Sequence, residues 1–166
     1  MKLYLLIILM LAASACSGPC SSSFNALSAQ EENNRKIAIS YFEEIVNRRN
    51  LDLVNKIFSP DYIDHEMDGT ENHSIKAGTF IPFLQKLFKA FPDLHYTIKS
   101  AITEADIVAL NLSASATHKD AFLGFPASGN KINYKQMHFF RIKDGKIMEC
   151  WEVVDLDALK TQLKSR

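Results

Sequence analysis

Six side chains near the end of the chain are spaced to work on one small molecule: Tyr134, Gln136, His138, Glu149, Trp151 and Asp155. Asp144-Gly145, lying between two alternating runs, predicts a two-residue hairpin turn of type I′. Such a turn sets the register of strands over 131–143 and 146–155. Counting back from it, Ile142 faces Ile147, Phe140 faces Glu149, His138 faces Trp151, Gln136 faces Val153 and Tyr134 faces Asp155. An apolar face with several converging polar groups has the composition of a ligand pocket. A carboxylate beside a histidine in such a pocket can be tuned to move a proton near neutral pH. The other face holds Lys135, Arg141, Lys143, Lys146 and Glu152 and is the wetter one. Its apolar Met137, Phe139 and Val154 offer a surface for a homodimer.

Two further groups fit the same chemistry. In residues 107–118, Val108, Leu110, Leu112, Ala114, Ala116 and His118 share one strand face. The small Ala114 and Ala116 leave room, and His118 stands where it can face a ligand. His118 is the candidate base, with Asp155 or Asp64 as its orienting acid and Trp151 as a wall. His65, beside Asp64, joins the candidate pocket. The plainer readings are a hydrogen-bonded structural histidine at 118 and a core tryptophan at 151.

These residues need a scaffold, and the periodicity supplies one. Ser28-Ala-Gln-Glu31 has the spacing of a capping box. The helix it opens runs to about Arg49, with Ile37, Ala38, Tyr41, Phe42, Ile45 and Val46 on one side. A short second helix over Leu51–Phe58 stops at Ser59-Pro60, because the residue before proline disfavours helical backbone. Tyr62–His65 reads as extended. Phe80, Phe83, Leu84, Leu87, Phe88 and Phe91 mark an amphipathic helix that ends at Pro92. Leu94, Tyr96, Ile98 and Ile102 alternate with polar residues as a strand, and a last helix begins at about Asp157. Helices first and a meander of strands after them imply an α+β domain with helices on one face of the sheet.

Composition narrows the function. The chain has 166 residues, 47% of them hydrophobic and 23% charged, as in a globular domain. Nineteen basic and nineteen acidic side chains cancel, which argues against a nucleic-acid partner. Five histidines without close ligand spacing give no metal signature. Residues 3–13 are apolar without a break and rise about 16 Å as a helix, half a bilayer core. They read as the apolar region of an export signal ending at Ala15. Ala13-Ser14-Ala15 before Cys16 resembles the bacterial lipobox, which implies a lipid on Cys16 and a membrane anchor; plain cleavage after Ala15, giving a periplasmic or secreted protein, is the alternative. Residues 16–28 read as a flexible tether and 29–166 as the domain. Cys150 reads as a small buried thiol, with a disulfide to Cys20 as the alternative in an oxidising compartment.

Five motifs occur in order: Tyr62-Ile63-Asp64-His65, Phe88-Lys-Ala-Phe-Pro-Asp93, Thr117-His118-x-x-x-Phe122-x-Gly124, Phe140-Arg-Ile-x-Asp-Gly-Lys-Ile147 and Trp151-x-x-x-Asp155. Together they resemble the SnoaL-like polyketide cyclase, or ester cyclase, family of the nuclear-transport-factor-two-like superfamily, over about residues 30–165. The resemblance implies a cone, in which a curved antiparallel sheet wraps N-terminal helices and encloses an apolar cavity. It also implies a small, apolar, carbonyl-bearing ligand and cofactor-free ring closure by aldol condensation, with a histidine and an aspartate moving the proton. His118 occupies the matching Thr-His segment. The strand after Gly129 offers Gln136 and His138 but no carboxylate, so Asp64, Glu149 and Asp155 are the candidate acids. Three classes stay open: a cofactor-free cyclase, isomerase or hydrolase; a small-molecule-binding module; and a structural envelope lipoprotein.

Overall fold

In the computed structural model, which describes residues 27–66, 74–76 and 78–164, the chain begins its first helix at a complete capping box. The Glu31 amide donates to Ser28 Oγ (3.2 Å) and the Ser28 amide to Glu31 Oε2 (2.8 Å). Residues 1–26 lie outside the described residues, and with them the export signal, the Cys16 lipid and the Cys20 disulfide. Helix α1 (Ala29–Ser40) continues into a π-helical segment, Tyr41–Asn47, which buries Tyr41, Phe42, Ile45 and Val46. A 3-10 turn (Leu51–Leu53) and α2 (Val54–Ile57) lead into β1 (Phe58–Glu66). The second helix is therefore shorter than its apolar spacing suggests, because Phe58 is already extended as the first residue of the strand.

Helix α3 (Phe80–Ala90) buries Phe80, Leu84, Leu87 and Ala90. The sheet follows as β2 (His95–Glu104), β3 (Ile107–Thr117), β4 (Lys131–Lys143) and β5 (Lys146–Val154), and α4 (Leu156–Leu163) closes the chain. The strand order is β1-β5-β4-β3-β2. All neighbours pair antiparallel except β1, which lies parallel to β5. The sheet is thus mixed rather than purely antiparallel. No hairpin joins β1 to β5, so nothing forces the direction to reverse.

Two bulges in the antiparallel pairings bend this sheet. In β2, Ile98 pairs with Leu112 but Ser100 pairs with Asn111, which leaves Lys99 as the extra residue. In β5, Ile147 pairs with Ile142 but Glu149 pairs with Arg141, which leaves Met148 as the extra residue. An inserted residue increases the local twist and reverses the parity beyond it. Ile102, expected to face inward with Tyr96, consequently points out and is 70% exposed. The α+β cone derived from the sequence is the observed fold, with helices packed on the inner face of a curved sheet. Phe42, Phe58, Phe91 and Phe140 are its largest fully buried side chains; truncating any one to alanine costs about 3–5 kcal/mol.

Arg49 ties the helices to the sheet. Its backbone is left-handed (φ 62°). Its Nη2 donates to the carbonyls of Phe91 (3.4 Å), Pro92 (3.2 Å) and Leu94 (3.0 Å), Nη1 reaches the Val46 carbonyl, and the guanidinium lies 4.2 Å over the Phe88 ring. A lysine cannot span these carbonyls with its single ammonium. Arg49→Ala should cost about 2 kcal/mol and Arg49→Lys more than half of that, read by chemical denaturation. A loss below about 0.5 kcal/mol for Arg49→Ala would show that the carbonyls find other donors.

Candidate functional site

Strict alternation on β3 and β4 builds one wall of a cavity. Val108, Leu110, Leu112, Ala114 and Ala116 of β3 face inward, and so do Ile132, Tyr134, Gln136, His138, Phe140 and Ile142 of β4. Between this wall and the helices lies a cavity of about 330 Å³. Tyr41, Phe42 and Val46 cover it from the helical side. Phe83, Lys86 and Leu87 of α3, the loop Phe122–Gly124, and Val154, Leu156 and Leu159 complete the lining. Exposed Lys86, Leu123 and Gly124 mark the mouth. The polar groups on the strand wall are Tyr96, Tyr134, Gln136, His138 and Glu152.

Glu152 is the residue that parity counting placed on the opposite face. Because Met148 is inserted in β5, His138 pairs with Glu152, Phe139 with Trp151, and Gln136 with Val154. Cys150, Glu152 and Val154 turn inward. Glu149, Trp151 and Val153 turn outward, so Glu149 and Trp151 do not line the cavity. Val154, expected on the wetter face, lines the cavity, and that outer face instead exposes Ile63, Met137, Phe139 and Val153. His65 also points outward. Its Nε2 is 2.8 Å from Glu149 Oε2, and its ring stacks on Trp151 at 4.6 Å with planes 4° apart. Arg141 donates to the other Glu149 oxygen at 2.6 Å. The His65 and Arg141 hydrogen bonds hold the Glu149 carboxyl below its usual range.

His138 sits at the centre of the inward polar row. Its Nε2 is 2.8 Å from Gln136 Nε2 and 3.4 Å from Glu152 Oε2, and its Nδ1 is 3.4 Å from Cys150 Sγ. The ring packs edge-on to Phe42 (5.0 Å) and is nearly parallel to Phe140 (5.6 Å). Burial lowers its pKa to about 3, so the ring is neutral at physiological pH and its contact with Glu152 is not an ion pair with an imidazolium. With the Gln136 amide nitrogen donating, the ring proton sits on Nδ1 toward Cys150. With the amide turned over, the proton sits on Nε2, where the Gln136 carbonyl oxygen accepts it at 2.8 Å and Glu152 is the longer second acceptor at 3.4 Å. The two arrangements differ in the orientation of the Gln136 amide and in which ring nitrogen carries the proton. Burial also pushes the Cys150 thiol up, which keeps it protonated. Among the described residues, no cluster of histidine, cysteine and carboxylate side chains could hold a metal ion.

The remaining sequence candidates lie apart from the cavity wall. His118 is fully buried, but it is not a lining residue. Its Nδ1 meets Ser128 Oγ (3.0 Å) and accepts from the Ser128 amide (3.3 Å), and its backbone amide and carbonyl bond Asn130 and Gly129. It therefore pins both ends of the loop whose Phe122–Gly124 segment does line the cavity. An accepting Nδ1 places the proton on Nε2, a buried nitrogen with no hydrogen-bond partner. Asp155 is exposed and caps α4, accepting from the Ala158 amide at 3.1 Å. Asp64 faces inward on β1 opposite Cys150, one strand beyond the cavity lining. Its Oδ1 is buried without a partner. Sequence reasoning missed Glu152, Tyr96, Tyr41 and Phe42; the last three were legible as inward positions but carried no chemical signal of their own.

Burial raises the Asp64 pKa from 3.8 to about 6, against a weaker opposing hydrogen bond from Tyr62 and the charge of His65. The folded state therefore holds this proton where the unfolded chain has lost it. Stability falls as pH rises from about 4 through about 6 and stays reduced above. Asp64→Asn removes that penalty. It should raise stability at pH 8 by up to about 3 kcal/mol and change it little at pH 4, read from thermal melts at the two values. An equal effect at both would mean that Asp64 does not ionise across this window.

The chain matches the SnoaL-like polyketide cyclase family over residues 36–163. No curated protein matches it significantly. Among solved structures, AclR from Streptomyces galilaeus, for which a hydroxylase activity has been suggested, is 28% identical with a TM-score of 0.70, over 80% of this chain and 96% of that one. A SnoaL-like polyketide cyclase homologue from Jannaschia sp. CCS1 is 22% identical with a TM-score of 0.77, over 85% and 98%. IdmH from Streptomyces antibioticus, suggested to be a polyketide cyclase, is 22% identical with a TM-score of 0.67, over 78% and 97%. The last two likenesses speak to the fold alone. The family match spans most of the chain and falls on the helices, the bulged sheet and the cavity just described: the protein belongs to the SnoaL-like polyketide cyclase family.

Proposed function

We propose that the protein binds a small, apolar, carbonyl-bearing molecule in this cavity and moves a proton on it without a cofactor. The observation that carries this reading is the contact between Glu152 and a buried, neutral His138 on the polar wall of a cavity whose other sides are largely apolar. A ring held near pKa 3 is a poor base at pH 7. Glu152 is therefore the proton acceptor, and His138 orients it and exchanges a hydrogen bond with it as its charge changes. Gln136 sets the orientation and tautomer of His138. Proton abstraction beside a carbonyl is the first step shared by aldol ring closure and isomerisation, so this pair serves either outcome.

The test is carbon-acid exchange. Apolar cyclic and aryl ketones in deuterated buffer, followed by proton NMR, should lose their α-protons faster with the protein than without it. Glu152→Gln should reduce that acceleration by about 10²–10⁴-fold while the melting temperature stays near that of the parent. Exchange no faster than buffer, with the ketones bound, would replace this reading with a capture module. Full activity in Glu152→Gln would remove Glu152 from the chemistry.

A further inference from the structure

Tyr96 and Tyr134 stand on different strands with one strand between them. Tyr96 of β2 and Tyr134 of β4 both pair with Ala114 of β3, which puts their Cα atoms about 10 Å apart on the same inner face. Their hydroxyl oxygens nevertheless meet at 3.1 Å. Ala114 is what lets them meet: a single methyl leaves the space over β3 into which both phenols lean, and a leucine there would stand between them. Both tyrosines line the cavity, and they are 6% and 5% exposed.

Two phenols have two protons and make one hydrogen bond to each other, so one proton is left over. Burial raises the pKa of both phenols, and either hydroxyl can donate in their contact. With Tyr96 donating and Tyr134 accepting, the free phenol proton belongs to the strand that also carries Gln136 and His138. The spare proton is then on Tyr134, and the donated bond from Tyr96 polarises Tyr134 and makes it a stronger donor. Burial holds Tyr134 at about 12, so it remains a neutral donor at physiological pH. Tyr134, Gln136 and His138 follow one another along the inner face of β4, which places a hydroxyl donor and the Glu152–His138 pair along one wall of the same cavity.

We infer that Tyr134, supported by Tyr96, is the donor that holds the ligand's carbonyl oxygen as it gains charge, so that the cavity selects molecules with an enolisable carbonyl or an equivalent acidic enol or phenol. This rests on the acid/base reading above and adds an oxygen subsite to it. In the step concerned, Glu152 takes the α-proton and the C–H electron pair becomes the new C=C bond. The carbonyl π pair moves onto oxygen as an enolate, and Tyr134 donates a hydrogen bond to that oxygen while keeping its proton. Reprotonation at carbon by Glu152 restores both residues. Tyr96 does not touch the ligand in this arrangement and is a positioning residue.

Naphthols imitate the enolate and need no turnover. Binding of 2-naphthol and its electron-poor derivatives to the protein, followed by fluorescence, reports both affinity and the ionisation of the bound naphthol. The affinity of the naphtholate should fall about 10- to 100-fold in Tyr134→Phe, the range of a hydrogen bond to a charged group, and about 3- to 10-fold in Tyr96→Phe. Ala114→Leu, which parts the phenols without removing either, should weaken binding as Tyr96→Phe does. Glu152→Gln should improve naphtholate affinity, because it removes a nearby negative charge. Equal affinity in the parent and Tyr134→Phe, or no naphthol binding by the parent, overturns the subsite. Loss of ketone exchange in Glu152→Gln together with unchanged naphtholate binding in Tyr134→Phe would refute the oxygen subsite and leave the acid/base pair standing. Tyr134-dependent naphtholate binding with full exchange in Glu152→Gln would do the reverse.

Discussion

One inserted residue, Met148 in β5, decides what the interior of this protein can do. With uninterrupted pairing from the Asp144-Gly145 turn, Glu149 and Trp151 would face the helices while Cys150, Glu152 and Val154 faced out. The bulge exchanges the two sets. It removes the Trp151 indole from the space that becomes the cavity and gives Val154 to the apolar lining. It also leaves the outward Glu149 free to pair with Arg141 and His65 in water-accessible surroundings. Most consequential is Glu152, carried across to the Nε2 side of His138. The bulge in β2 at Lys99 works alongside it, bending the sheet and sending Ile102 to solvent. A bulge twists its strand more than regular pairing does, so the same two insertions account for both the curvature that encloses the cavity and the identity of its wall.

The polar row inside is held almost entirely in neutral form, and burial is the reason. His138 is held without the second ring proton of an imidazolium, while Cys150, Tyr41, Tyr96 and Tyr134 keep their protons. Each of these groups would be costly as a lone charge in a low-dielectric interior. Glu152 differs in being partly open to the cavity: its side chain is 29% exposed, against 5% for His138. A carboxylate at the boundary of water and a wall of neutral hydrogen-bonding groups has neighbours that can answer a change in its surroundings by turning a hydroxyl or shifting a tautomer. The proposed acid/base work rests on this arrangement at β4 and β5, while the hydrogen bonds of His118 hold the loop 118–130 in place.

Much of this was legible in the residues. The capping box at Ser28, the amphipathic helix over Phe80–Ala90, the type I′ turn and the inward faces of β3 and β4 follow from spacing alone, and the five motifs pointed to the family. Tyr134, Gln136 and His138 were found because β4 alternates without interruption up to the turn. The failures share a cause. A hairpin turn governs register only as far as the first irregularity, and Met148, half-buried and apolar, fits an inward or an outward position equally well in a string of letters. Glu149 and Trp151 were assigned to the pocket for that reason, and Glu152 was left out of it. Asp155 has a different explanation, since an aspartate between the end of a strand and the start of a helix is most often a cap, and that is the role it takes. His118 was placed on the correct strand face. What alternation cannot say is how deep a side chain lies along that face, and the loop after it covers it.

The central claim is that Glu152, and not Glu149, is the carboxylate beside His138. Imidazole nitrogen and proton shifts of His65 and His138, recorded by NMR in the parent, Glu152→Gln and Glu149→Gln, read this directly. The account predicts that Glu152→Gln moves the His138 ring signals and leaves those of His65 in place, that Glu149→Gln does the opposite, and that His138 stays neutral from pH 8 down to about 4. If Glu149→Gln perturbed His138 and Glu152→Gln did not, the register of β5 would be unbroken and the proposed proton-transfer pair would not exist.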